Sequence, residues 1–137
     1  MQTFLPYASF TKCASCLDNK RLGKQRVEAY QIINNLIKKP DRWYTHPAVQ
    51  MWVNYEEALK LYYDTILFEW IKRGFRNNMS IYIISSNHLK FPPWLGEKKF
   101  HNSHRSNLLR KDYEFYSRYN WNISSDLEYF WPSKEEI

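Results

Sequence analysis

From Val49 to Ile71 the chain repeats large apolar side chains at helical spacing, and this stretch constrains the fold more than any other. Val49, Trp52, Val53, Leu59, Tyr62, Tyr63, Ile66, Leu67, Trp70 and Ile71 fall on a stripe with a period near 3.6. Pro47 suits the first helical turn, where its missing N–H is not required. Lys72-Arg73-Gly74 suits the end, with Gly74 at the left-handed position after a basic last turn. The spacing predicts a central helix over 47–74 with a break near Asn54. A second stripe, Leu22, Tyr30, Ile33, Leu36 and Ile37, predicts a helix over 17–39 that ends before Pro40, basic in its early part and apolar in its late part.

A third helix is expected over about 103–119, with Leu109, Tyr113 and Tyr116 at i, i+4 and i+7 and with Leu108 and Phe115 beside them. Ser80 to Ile84 has the composition of a short strand but no evident partner strand, so it reads as irregular or as a short helix. Pro92-Pro93 and Gly96 mark a loop. The first ten residues lack charged side chains and include Phe4, Pro6, Tyr7 and Phe10, which predicts an arm packed on the body. Trp121 to Ile137 is aromatic and then acidic, and is expected to be irregular. With 137 residues and no repeat, low-complexity tract or Gly/Ser/Pro-rich linker, the expectation is a mainly α, compact single domain over 1–137. It has three principal helices, an extended N-terminal arm and an irregular aromatic C-terminal tail.

Composition excludes several classes. Apolar residues make up 44% and aromatics 18%, enough to bury a core and to exclude disorder. The apolar runs are too short for a membrane span, and Met1-Gln2-Thr3-Phe4-Leu5-Pro6 lacks the basic and apolar regions of a secretory signal. Two cysteines cannot make a disulfide framework, so an intracellular, reducing location is expected.

The net charge of +6 is concentrated. Lys20 to Arg26 carries four cations (Lys20, Arg21, Lys24, Arg26) and His101 to Lys111 carries three (Arg105, Arg110, Lys111), with no acid in either segment. The rest of the chain is close to neutral, and acid-free basic stripes of this kind suit a polyanion. The ordinary alternative is two solvated helix faces. On a helix, Arg21, Lys24 and Glu28 lie at i, i+3 and i+7, so one face presents two cations and a carboxylate. Glu28 reads either as a catalytic acid beside a bound phosphodiester or as a partner of Lys24 one turn earlier. Gly23 within that helix costs roughly 1 kcal/mol relative to Ala, a cost that makes sense where a backbone or ligand approaches closely.

His101, Ser103, His104, Arg105, Arg110 and Lys111 form a second constellation. Backbone N–H groups at a helix start, with hydroxyls, amides and cations, suit a phosphate cradle, while Asn102 or Ser103 equally suits an N-cap. Cys13-Ala14-Ser15-Cys16 and His101-Asn102-Ser103-His104 have the form of metal-ligand pairs, but they lie about 85 residues apart, whereas structural sites place their pairs closer. No metal or cofactor is assigned. Trp43, Trp52, Trp70, Trp94, Trp121 and Trp131 offer stacking platforms for bases, though most read as core.

Three stretches together resemble the pyrimidine-dimer DNA glycosylase/AP lyase family of endonuclease V type, in a distant bacterial and viral branch. They are Leu17-Asp18-x-x-Arg21-Leu22-Gly23-Lys24-Gln25-Arg26-Val27-Glu28, His46-Pro47-Ala48-Val49-x-Met51-Trp52 and Phe100-His101-x-Ser103-His104-Arg105-Ser106-Asn107-Leu108-Leu109-Arg110-Lys111. The close of the long helix, Glu69-Trp70-Ile71-Lys72-Arg73-Gly74-Phe75, and the aromatic C-terminal end add to the match. The resemblance implies a compact helical enzyme, a monomer, that binds lesion-bearing double-stranded DNA, flips a nucleotide and removes a damaged pyrimidine. In that family the N-terminal α-amine attacks the sugar C1′ to give a Schiff base, and a Glu on the first helix promotes β-elimination. By position, Met1 would carry the amine and Glu28 the carboxylate. Gln2, Arg21, Lys24, Arg26, His101, Ser103, His104, Arg105, Arg110 and Lys111 would contact DNA.

The implied chemistry is coherent. An α-amine titrates near pH 7.7–8.0, far below lysine, so part of it is neutral and nucleophilic at physiological pH. A base buried in the stack must be extruded to be reached, most cheaply where damage weakens pairing. Two positions depart from the phage-type pattern. Gln2 is too large for removal of the initiator Met, so Met1 itself would be the nucleophile, and Gln2 stands where the phage-type enzyme has an Arg. Without the resemblance, the charge pattern supports a non-catalytic nucleic-acid-binding module with steeply salt-dependent binding.

Overall fold

The structure, a computed structural model, describes residues 1–132. Among them are six α-helices and no strand: α1 (Phe10–Cys16), α2 (Asn19–Ile37), α3 (Pro47–Gln50), α4 (Glu56–Lys72), α5 (Lys98–Lys111) and α6 (Tyr113–Tyr116). Single 3-10 turns follow at Ser86–His88 and Ser117–Tyr119. The mainly helical expectation therefore holds. The long helices are α2, α4 and α5, and residues 133–137 of the expected tail lie outside the described residues.

The 47–74 stripe is divided between α3 and α4. Asn54 adopts a left-handed φ of 73°, and its N–H goes to the Glu56 carboxylate rather than back into a helix. Glu56 and Glu57 then occupy the first turn of α4, where carboxylates complement the helix dipole. The far end closes as the Lys72-Arg73-Gly74 run predicts. Gly74 sits at φ 87°, its N–H reaches Ile71 O at 2.9 Å, Phe75 N–H reaches Trp70 O at 3.4 Å, and the Phe75 ring stacks on Trp70 at 4.3 Å. This is the paired hydrogen-bond and apolar arrangement of a Schellman stop.

α2 crosses α4 at Gly23. A β-carbon at that position would come within 2.9 Å of the Trp70 ring, so the helix-weakening glycine is explained by an approaching indole. The core lies between α2 and α4 and extends to α1 and α5, with Trp52, Tyr62, Tyr63, Phe100 and Tyr116 fully buried. Trp52 and Trp94 meet edge to face at 5.0 Å. Trp43, Trp70, Trp121 and Trp131 are only partly buried, so fewer of the tryptophans are core than expected.

The third helix differs from its predicted bounds. α5 starts at Lys98 after Glu97, which makes no side-chain cap, so Asn102 and Ser103 sit inside the helix and cap nothing. It ends at Asp112, whose extended φ of −156° breaks the helix and whose carboxylate caps α6 through Phe115 N–H at 3.2 Å. Tyr113 is therefore exposed, while Tyr116 swings into the core. There its hydroxyl donates to the Asp18 carboxylate and accepts Asp18 N–H at 3.1 Å. Beyond Tyr119 the chain runs back along α5 without regular structure. Leu127 N–H is held by Ser106 Oγ at 2.9 Å and Phe130 N–H by Ser103 Oγ at 3.1 Å. Residues 80–84 are irregular, as expected. No helix among the described residues is long and apolar enough to cross a membrane.

Candidate active site

An extended segment buried without a strand partner must find a side chain for each peptide group. The arm at residues 2–6 does so almost completely. Gln2 N–H donates to Glu28 Oε2 at 2.7 Å, and Gln2 O accepts from Gln25 Nε2 at 2.7 Å. Phe4 N–H donates to Gln25 Oε1 at 2.5 Å and Phe4 O accepts the Tyr62 hydroxyl at 2.7 Å. Leu5 is gripped by two histidines: its N–H donates to His104 Nδ1 at 2.9 Å and its carbonyl lies 2.7 Å from His101 Nδ1. Gly96 N–H donates to His101 Nε2 at 2.9 Å, so the His101 proton sits on Nδ1 and points at Leu5 O. Arg105 Nε donates to Pro6 O at 2.7 Å, its guanidinium lying over the Tyr7 and Trp121 rings.

His101, His104 and Arg105 were expected at DNA, and the structure places them on the arm. His104 is fully buried, with no face left for a phosphate. Burial, reinforced by His101, pushes its pKa down to about 3, so the ring is neutral. Burial lowers His101 as well, against the opposing effect of its bond to Leu5. Ser103 is buried, donating to Phe100 O and accepting Phe130 N–H. Arg110 holds Ser125 O, Leu127 O and the Asn107 side chain. The segment read as a phosphate cradle makes an internal clamp, with one side on the arm and the other on the C-terminal segment. Polar residues that satisfy a backbone look in sequence like polar residues that face a phosphate.

The first constellation opens a cleft. Met1, Glu28, Lys24, Lys20, Arg21 and Lys111 line a recess of about 450 Å³, together with His46, Tyr129 and Trp131. A second recess of about 360 Å³, lined by Val27, Gln31 and Trp43, shares Met1, Lys24 and Glu28 with it. Met1 and Glu28 therefore sit on the ridge between two hollows. Glu28 accepts from the backbone of the arm; Lys24 donates to it neither as an ion pair nor as a hydrogen bond. Arg21 is steered by Asp18 at 3.2 Å and Asp112 at 3.9 Å. Burial works against ionisation of Asp18, but hydrogen bonds from Tyr116 and Arg21 outweigh it and hold the carboxyl below its usual range. Lys20, Lys24 and Lys111 make no ion pair among the described residues, so this end of α2 and α5 is a cationic rim. Arg26 turns away, lying over Trp70 at 4.3 Å and donating to Gly23 O at 3.2 Å. Gln2 is buried beneath the cleft; its Nε2 faces Tyr129 and makes no hydrogen bond of ordinary geometry.

Cys13 and Cys16 are buried in α1, where desolvation raises both thiols, Cys16 to about 12. Cys13 Sγ donates to Tyr7 O, Cys16 Sγ donates to Cys13 O, and the two histidines are committed to Leu5. Among the described residues no group of three or more His, Cys, Asp or Glu is gathered around a common point. Sequence reasoning did not single out Gln25, Tyr62, His46 or Tyr129 as site residues, and named Trp131 only among possible stacking platforms. His46-Pro47 at a helix start was the one local signal available.

A protein-family model described as pyrimidine dimer DNA glycosylase matches residues 1–83. The chain belongs to the pyrimidine dimer DNA glycosylase family. Membership makes it a DNA-repair glycosylase with DNA as its substrate. The matched part contains the arm, α1 to α4 and the Met1–Glu28 ridge, whereas α5 and the aromatic segment that close the cleft lie beyond it. No curated protein and no solved structure gives a significant match.

Proposed function

We propose that this glycosylase acts through the Met1 α-amine on a damaged pyrimidine nucleotide flipped out of duplex DNA, with an accompanying AP lyase step. The observation that carries the reading is the 2.7 Å bond from Gln2 N–H to Glu28, which ties the residue after the amine to the carboxylate in one cleft. The amine lone pair forms a bond to C1′, the C1′–N1 bond breaks with its electrons going to the base, and the amine gives up a proton as the base takes one. Opening of the sugar ring, with O4′ taking a proton from water, gives a protonated imine joining Met1 to C1′. Loss of a C2′ proton then expels the 3′ phosphate by β-elimination.

Glu28, fixed by the arm, stabilises the cationic imine and accepts the C2′ proton. Lys20, Arg21, Lys24 and Lys111 hold phosphates around the flipped nucleotide. The arm clamp supplies positioning: six side chains from outside the arm hold residues 2–6, so the amine arrives in a fixed place.

The test uses duplexes carrying a cyclobutane pyrimidine dimer, an abasic site or no lesion, with borohydride to reduce the imine. A covalent protein–DNA adduct through Met1, located by peptide mass mapping and abolished by blocking the α-amine, is the expected result. Salt-sensitive binding without adduct, base release or strand cleavage on any duplex refutes the reading and leaves a binding module.

A further inference from the structure

His46 is held in the cleft with one ring nitrogen used and the other free. It caps α3: Nδ1 accepts Ala48 N–H at 3.0 Å, and its carbonyl accepts Val49 N–H at 2.9 Å and Gln50 N–H at 3.0 Å. A ring nitrogen that accepts carries no proton, so the neutral ring carries its proton on Nε2. That nitrogen makes no hydrogen bond to any described residue, and the ring lines the recess that holds Met1 and Glu28. Trp131 meets the ring edge to face at 5.6 Å and Trp43 meets it at 5.7 Å, so two indoles and the cap bond constrain its orientation. Burial and then the nearby positive N-terminus both hold the imidazole below its usual pKa, which keeps it neutral at the pH where the amine works.

A neutral, single, oriented donor packed against two indoles is a poor phosphate site; the cations at the rim serve that purpose. It suits a planar group that gains partial negative charge on an oxygen. When C1′–N1 breaks, the electron pair spreads over the pyrimidine ring onto its O2 carbonyl oxygen. Resting on the amine mechanism proposed above, we infer that His46 donates Nε2–H to O2 of the departing pyrimidine and so sets the rate of base loss. His46 keeps its proton throughout; the proton that neutralises the base comes from the attacking amine. The family's acid–amine pair performs the displacement, and His46 adds recognition of a pyrimidine leaving group.

His46→Asn separates this role from capping, because the Asn side-chain oxygen replaces Nδ1 as the cap while nothing replaces Nε2. Single-turnover base release from a dimer duplex should fall about 100-fold, the usual loss for one preorganised donor. Trapping on a preformed abasic site, from which no base departs, should stay near the wild-type rate, with an unchanged melting temperature. His46→Gln, which restores an N–H at greater reach but loses the cap, should recover part of the base-release rate. Equal base release by wild type and His46→Asn overturns the inference, and so does an equal slowing on both duplexes, which would place the donor on the sugar or the amine. A wild-type protein that neither releases base nor traps an adduct fails the proposed function itself, and the His46 role falls with it.

Discussion

Lowering the pH from 7 to 5 should destabilise the protein by about 2 kcal/mol through His104 alone. In the folded chain burial holds its pKa near 3, whereas an unfolded histidine titrates near 6.5. Below pH 6.5 the unfolded chain binds a proton that the native chain refuses, so stability falls as the pH drops, by about 1.4 kcal/mol per unit until the folded pKa is reached. His101 and His46 are lowered too and push in the same direction. The lowered carboxylates leave this window alone. Asp18 and Glu57 are held below their ordinary values of 3.8 and 4.5, so their stabilisation persists above those values and is lost only at lower pH. Asp64, raised by burial, acts with the opposite sign. Urea titrations at pH 7, 6 and 5, followed by tryptophan fluorescence, measure the slope. His104→Gln keeps an acceptor for Leu5 N–H but cannot titrate; it should start less stable and lose less on acidification. A wild-type curve flat between pH 7 and 5, or the same slope in His104→Gln, would refute the account of a neutral histidine gripping the arm.

Glu28→Gln retains an oxygen for Gln2 N–H, so the fold should hold while base release falls by about 100-fold or more, as measured by single-turnover kinetics beside thermal melts. Gly23→Ala drives a methyl into the Trp70 ring, which is pinned by Nε1–H to Arg76 O at 2.9 Å and by stacking on Phe75. The overpacking cost of about 1–3 kcal/mol should exceed the roughly 1 kcal/mol gain in helix propensity, lowering the denaturation midpoint. Lys111→Ala should weaken DNA binding on every sequence and reduce the magnitude of the log–log salt slope by about 0.9, whereas Arg105→Ala should lower stability and leave that slope intact.

What could be read in the sequence was local. Apolar spacing gave α2 and α4, and turn chemistry gave the break at Asn54 and the stop at Gly74, because a left-handed residue must be Asn or Gly wherever the rest of the chain lies. The face carrying Arg21, Lys24 and Glu28 followed from helix geometry. The start of α5 did not, since Glu97 caps nothing and Lys98-Lys99 carries no signal. The internal bonds of His101 to Arg110, a segment that reads in sequence as a phosphate cradle, were not legible for a non-local reason. His101, His104 and Arg105 serve peptide groups nearly a hundred positions earlier, Ser103 and Arg110 serve groups 15–27 positions later, and no spacing within these segments records either pairing.

The arm explains why such a polar helix is buried in a protein whose business is DNA. Were residues 2–6 an edge strand, its backbone would be satisfied by another strand, and the N-terminus would follow the register of a sheet this fold does not possess among the described residues. Satisfying it with Gln25 and Glu28 of α2, Tyr62 of α4, and His101, His104 and Arg105 of α5 instead fixes the arm to three helices at once. Each bond contributes only about 1 kcal/mol, but leaving one partner unsatisfied in the interior costs about 1–3 kcal/mol, so the clamp tolerates little slack. Glu28 belongs to that clamp and to the cleft at once. A shift of the arm that moves the amine also frees the Glu28 carboxylate, so the two groups proposed to act on C1′ are coupled through a single hydrogen bond.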